Sequence, residues 1–203
     1  MKYYSLSDDM KIGKFVSLFV LITMVSIQGT AFASSLGGNT YNEHYDFSML
    51  EPGDIIFGYS PSVAWIIPGH WTHVMIFVGW DSNGTGWFIE AYADGVHLRP
   101  LSVIDHRYPE IAIGRVMTTE KVKEEALAFM LSKLGDPYDY AWWHKEIDNG
   151  KYYCSELAWA GYYVAGIDID EHPGFSWKYL WGVAPQEIYD DSHVDIISVQ
   201  YGF

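Results

Sequence analysis

The chain has 203 residues, of which 49% are apolar or aromatic, and a formal net charge of −14. That apolar share is too high for a disordered chain, and the acidic surface argues against nucleic acid or anionic lipid as a partner. A single cysteine excludes an internal disulfide.

Residues 1–33 have the layout of a Sec signal peptide. Lys11 and Lys14 precede an apolar run at 15–27, and Ala31-Phe32-Ala33 is a small-x-small cleavage pattern. The run is short for a membrane span, which needs about 20 apolar residues. Retention as an uncleaved anchor is the alternative. Cleavage implies export to the periplasm, cell surface or medium, with no stable membrane anchor afterwards. The removed segment holds three lysines and two aspartates, which leaves the mature chain at −15.

Residues 34–47 are polar and contain glycine, as a flexible leader would be, and 48–203 suits one domain. Within it, 54–58 forms a short strand and 60–71, with Pro61, Pro68 and Gly69, a loop. Residues 72–80 are strongly β-like, and the turn cluster at 81–86 leads into a return strand at 87–92. Further strands are expected at 96–101 and 111–117. Thr119 caps a helix over 120–134, which Gly135 ends. An aromatic loop or short helix covers 138–150. A second helix spans 155–164, an aromatic connector lies at 175–181, and a last strand runs over 194–199. Strands, two helices and a closing strand give an α+β fold.

Cys154 falls where a glycine-containing loop gives way to the second helix. Free N–H groups and the macrodipole at a helix N-terminus favour a thiolate. The same N–H groups can hold an oxyanion. The bland alternative is a small buried hydrophobe. An exported chain with one leftover cysteine favours a partner disulfide or a working thiol.

A thiol nucleophile needs a base and the base an orienting group. His73 opens the second strand and can reach past the sheet edge toward a helix terminus. Glu90, between Ile89 and Ala91, is a carboxylate in the middle of an apolar strand and needs a partner if it faces inward. A tight turn at Asn83-Gly84 would set His73 opposite Asp94 instead, whereas a wider loop or bulge would bring Glu90 opposite. Both carboxylates therefore stand as orienters. Glu156, two residues past the cysteine, suits a helix-start carboxylate. His70 and His73 stand three apart, a spacing that marks no metal site off a helix, and no metal or other cofactor is expected. Trp142, Trp143, Tyr152, Trp177 and Trp181 serve equally as core or as walls of a cleft.

In order, Gly53-Asp54-Ile55-Ile56-Phe57, Thr72-His73-Val74, Ile89-Glu90-Ala91, the run from Leu134 to Tyr140, Tyr153-Cys154-Ser155-Glu156-Leu157 and Pro185-Gln186-Glu187-Ile188 resemble the circularly permuted NlpC-type, papain-like cysteine hydrolases, in the YaeF/YiiX-like amidase group. The histidine precedes the cysteine, as in the permuted branch. The resemblance covers roughly 48–199. It implies a single papain-like domain, an antiparallel sheet packed against the nucleophile helix. It also implies Cys154 as nucleophile, His73 as base and Glu90 as the third residue. Tyr153, Ser155 and Asp94 are the candidates for the oxyanion site or the support behind the triad, and Trp71, Tyr138, Trp142 and Tyr152 for the substrate cleft. The implied substrates are envelope peptides, amidated conjugates or lipids. Acyl transfer on the same fold and a non-catalytic binding module are the alternatives.

Overall fold

The structure is a computed structural model in which residues 44–202 are described. The expected signal peptide lies outside them, as does the leader up to residue 43. The elements are strands β1 (Ile55–Tyr59), β2 (His73–Trp80), β3 (Gly86–Tyr92) and β4 (Gly95–Pro100), a 3₁₀ turn (Leu101–His106), β5 (Glu110–Val116), helices α1 (Glu120–Leu131), α2 (Cys154–Val164) and α3 (Pro185–Asp190), and β6 (Val194–Tyr201). All six strands form one antiparallel sheet in the order β4-β3-β2-β1-β5-β6. Among the described residues, no helix is long and apolar enough to cross a membrane.

Alternation along the strands gives the sheet two buried faces. On one, Ile56, Met75, Phe77, Phe88, Ile111 and Ile113 pack with Leu101, Ile104 and Tyr108 from the 3₁₀ segment and its exit. On the other, Ile55, Phe57, Val74, Ile76, Ile89 and Ala91 are buried, and α2 lies against β2 and β3. Burying each large side chain in full contributes about 1.5–3 kcal/mol. The central strands are therefore a rigid support for the groups at their ends.

The folded domain begins earlier than the expected residue 48. Tyr45 is buried, donates its hydroxyl to Tyr108 O at 2.8 Å and joins the first core face, so residues 45–47 are not part of a flexible leader. Thr119 caps α1 as expected, its hydroxyl accepting from the Val122 N–H. The 138–150 segment forms turns and isolated bridges, with no helix. Two elements were not anticipated, the 3₁₀ turn and α3.

The β2–β3 hairpin takes neither anticipated register. Asp81 N–H bonds Thr85 O at 2.9 Å, and the Asp81 carboxylate accepts from the N–H groups of Asn83 and Thr85 and from Trp87 Nε1. That carboxylate organises a wider loop than a two-residue turn. A bulge between Phe77 and Gly79 then shifts the pairing, so that Phe77 faces Phe88 and Ile76 faces Ile89. Continued along the ladder, this sets Tyr92 opposite His73 and makes Glu90 its diagonal neighbour on the same face. Diagonal pairs lie about 7–8 Å apart, within reach of long side chains.

Candidate active site

Cys154 is the first residue of α2, and Tyr153 before it has extended backbone. The helix starts there because Glu156 reaches back: its carboxylate accepts the Tyr153 N–H at 3.2 Å and the Glu146 N–H at 2.7 Å. This is the carboxylate half of a capping box. Burial pushes the Glu156 carboxyl up to about 7, against the two N–H groups that favour its charge.

The thiol is buried and hydrogen-bonded to the His73 ring, and the Val74 N–H also points at the sulfur. Burial pushes the thiol up. The positive His73 ring, its hydrogen bond and the Val74 N–H outweigh that and bring it below its ordinary value. On the ring's far side, Nε2 lies 2.7 Å from Glu90 Oε2. An ionised carboxylate can only accept, so Nε2 donates and Nδ1 is the nitrogen left for the sulfur. Burial opposes charge on the ring, but the Cys154 thiolate and Glu90 together raise it to about 9. Glu90 is buried as well. Burial disfavours its charge, and His73 and Arg107 hold it down at about 2.

The ring is fixed on both sides. Tyr108 stacks on it at 6.0 Å between centroids and Tyr92 meets it edge-on at 5.5 Å. Gly58, directly opposite His73 on β1, makes the room: a Cβ there would come within 2.8 Å of the Tyr108 ring. Behind Glu90, Arg107 Nη1 donates to both carboxylate oxygens at 2.8 and 2.7 Å. Arg99 Nε stands 2.9 Å from Oε1. Sequence reasoning missed Gly58, Arg99, Arg107 and Tyr108. One signal was available: this strongly acidic chain has only three arginines. Two sit on Glu90, and the third, Arg115, on the buried Asp54.

Other anticipated residues fall elsewhere. Asp94 is exposed and occupied by Arg99 and His97, so it does not orient His73. Tyr153 and Ser155 are buried and committed: the Tyr153 hydroxyl accepts the Val183 N–H at 3.0 Å, and the Ser155 hydroxyl donates to Val183 O at 2.7 Å. They tie the 181–184 segment to the start of α2, and neither hydroxyl is left to serve an oxyanion. Tyr152 is fully buried, with its hydroxyl on Ile147 O, and Trp71 is buried among Phe57, His70 and Tyr189. Neither offers a surface to a substrate. Tyr138 and Trp142 are half-buried. Tyr138 lies by the sulfur: burial first, then the Cys154 charge, keep its phenol protonated. Trp143 O accepts from Trp181 N at 3.0 Å, which joins two aromatic loops beside α2, while Trp177 stands almost fully exposed. His70 turns away to Glu110 at 3.0 Å and stacks on Tyr59, so it makes no pair with His73. Among the described residues, no group of three or more His, Cys, Asp or Glu is placed to hold a metal ion.

A search of curated proteins finds no match for the chain. Among solved structures, the crystal structure of the metalloprotein yiiX from Escherichia coli O157:H7 superposes with a TM-score of 0.61 at 20% identity, over 74% of this chain and 98% of that one. A likeness at that identity establishes the fold. Residues 49–198 match the family model of the permuted papain-like amidases, YaeF/YiiX, C92. That match runs from before β1 into β6, well over half of the chain, so the chain belongs to the permuted papain-like amidase family and is a cysteine amidase-like hydrolase.

Proposed function

We propose that the protein is an exported thiol hydrolase that cleaves amide or ester bonds in envelope peptides or related conjugates, with Cys154, His73 and Glu90 as its triad. The observation that carries this reading is a buried chain of hydrogen bonds. It runs from a thiol at a helix N-terminus, through an imidazole, to an ionised carboxylate.

The chemistry follows from that chain. Cys154 and His73 rest as thiolate and imidazolium, and the thiolate attacks the substrate carbonyl. The negative oxygen that forms is met by the Cys154 backbone N–H at the head of α2 and by the Tyr138 hydroxyl, which donates to no acceptor among the described residues. His73 gives its proton to the leaving amine or alkoxide, and the acyl group remains on sulfur. Water, deprotonated by the neutral ring, then releases the acid and restores the pair. Glu90 keeps the ring in the tautomer and orientation that both steps need. The E. coli structure is described as a metalloprotein. The donor sets among the described residues here do not fit a metal ion, so no step is routed through one.

Export rests on the basic, apolar and small-residue pattern of residues 1–33. Mass analysis of the exported chain should find an N-terminus at Ser34, and Met1 in the medium would contradict it. For the chemistry, the protein is incubated with envelope extract and Cys154 examined by mass spectrometry. An acyl adduct on Cys154 that disappears in Cys154→Ser is expected. Substrate turnover by Cys154→Ser at the wild-type rate would overturn the reading.

A further inference from the structure

Glu90 is balanced by more positive charge than orienting a ring requires. Its side chain is wholly buried, and it meets His73 Nε2 at 2.7 Å, Arg107 Nη1 at 2.8 and 2.7 Å, and Arg99 Nε at 2.9 Å. An imidazolium alone would match one carboxylate. In turnover, however, His73 must surrender its proton to the leaving group. A buried carboxylate facing only a neutral ring would then be an unpaired charge, which is strongly destabilising. Such a carboxylate would resist the transfer by holding the proton on the ring.

We propose that Arg107 is a positioning residue of the reaction, whose guanidinium balances Glu90 while His73 is neutral and so lets the ring pass its proton from Cys154 to the leaving group. This rests on the triad reading above. Geometry singles out Arg107 over Arg99. Arg99 is shared with exposed Asp94, which takes its Nη2 at 2.9 and 2.7 Å. Arg107 follows the 3₁₀ turn, spans both oxygens of Glu90 and lies over the Tyr92 ring at 4.5 Å. The groups facing the pair come from every neighbouring element. Cys154 of α2, Tyr92 of β3 and Tyr108 face the His73 ring. Arg99 of β4, Arg107 and the Tyr108 phenol face Glu90. His97, opposite Glu90 in the β3–β4 ladder, is turned to Asp94. Of the two arginines on Glu90, Arg107 is thus the one with no second carboxylate to serve.

The test needs no substrate. The His73 ring is titrated by NMR in the full chain, and Cys154 is alkylated with iodoacetamide at neutral pH. Arg107→Gln keeps a donor and removes the charge. The ring midpoint, about 9 in the wild type, should then rise by about one unit or more, a tenfold gain in proton affinity. Alkylation should stay at least as fast, because the ion pair is over-stabilised. Arg107→Lys keeps the charge and should leave the midpoint within about 0.3 unit. A merely structural role would lower alkylation and leave the midpoint where it was or move it down, and either result overturns the proposal. If Arg107→Gln does not fold, a shift of about one unit in Arg107→Lys does the same. Failure of the triad reading is separate: the wild-type midpoint would then be unchanged by Cys154→Ala.

Discussion

Two histidines three residues apart each meet a glutamate, and only one of them builds a site. His70 Nε2 lies 3.0 Å from Glu110 and His73 Nε2 lies 2.7 Å from Glu90. The His70 side chain is 48% exposed and stacks on Tyr59 with no nucleophile beside it, whereas His73 and Glu90 are 9% and 0% exposed and the thiol meets the ring's other nitrogen. Water screens the first pair, so its contribution is small. The second sits in low dielectric, where each charge has its strongest effect on the next. A histidine–carboxylate contact therefore acquires a role from burial and from what lies on the far side of the ring.

Substitutions can break this contrast, and the largest effects fall on the buried pair. Cys154→Ser and His73→Ala should each lower turnover by at least about 10³-fold, since members of a triad act as a unit. Kinetics on a substrate identified through the acyl adduct measure this. Glu90→Gln should cost about 10²–10⁴-fold, because the amide offers a donor where the ring needs an acceptor and unsettles the tautomer. Gly58→Ala presses a methyl group into the Tyr108 ring. It should destabilise the fold by about 1–3 kcal/mol as overpacking does, read as a lower denaturation midpoint, with a partial loss of turnover as Tyr108 shifts off His73. His70→Ala should change stability by about 1 kcal/mol or less and leave turnover within a factor of about two, as for an exposed pair. A loss at His70 as large as at His73 would erase the distinction.

Much of the fold could be read from the chain. Alternating apolar residues located the strands and Thr119 the start of α1, because periodicity and caps are local signals, whereas the helix ends at Leu131, short of the expected stop at Gly135. The order of His73, Glu90 and Cys154 was also legible. Their geometry was less so. Register depended on a bulge at the Phe77–Gly79 step and on the Asp81 side chain closing a wider loop, which no turn dipeptide announces. Arg107 and Tyr108 reach the site from a 3₁₀ segment that has no periodic signature, and Gly58 matters through a ring fifty residues away in sequence. Tyr152 and Trp71 look like cleft aromatics in sequence, but burial is a tertiary property and places both inside.

The central claim is that Cys154 and His73 rest as a thiolate–imidazolium pair. It predicts activity between two limbs. The thiol protonates on the acid side at a value below its ordinary one, and His73 loses its proton on the alkaline side at about 9. The most direct measurement is the rate of Cys154 alkylation across pH in the wild type and in His73→Ala. The wild type should react at pH values well below the ~8.5 of a free thiol, and His73→Ala should return the inflection to about that value or above it. Superimposable profiles for the two proteins would contradict the pair, and with it the account of the site.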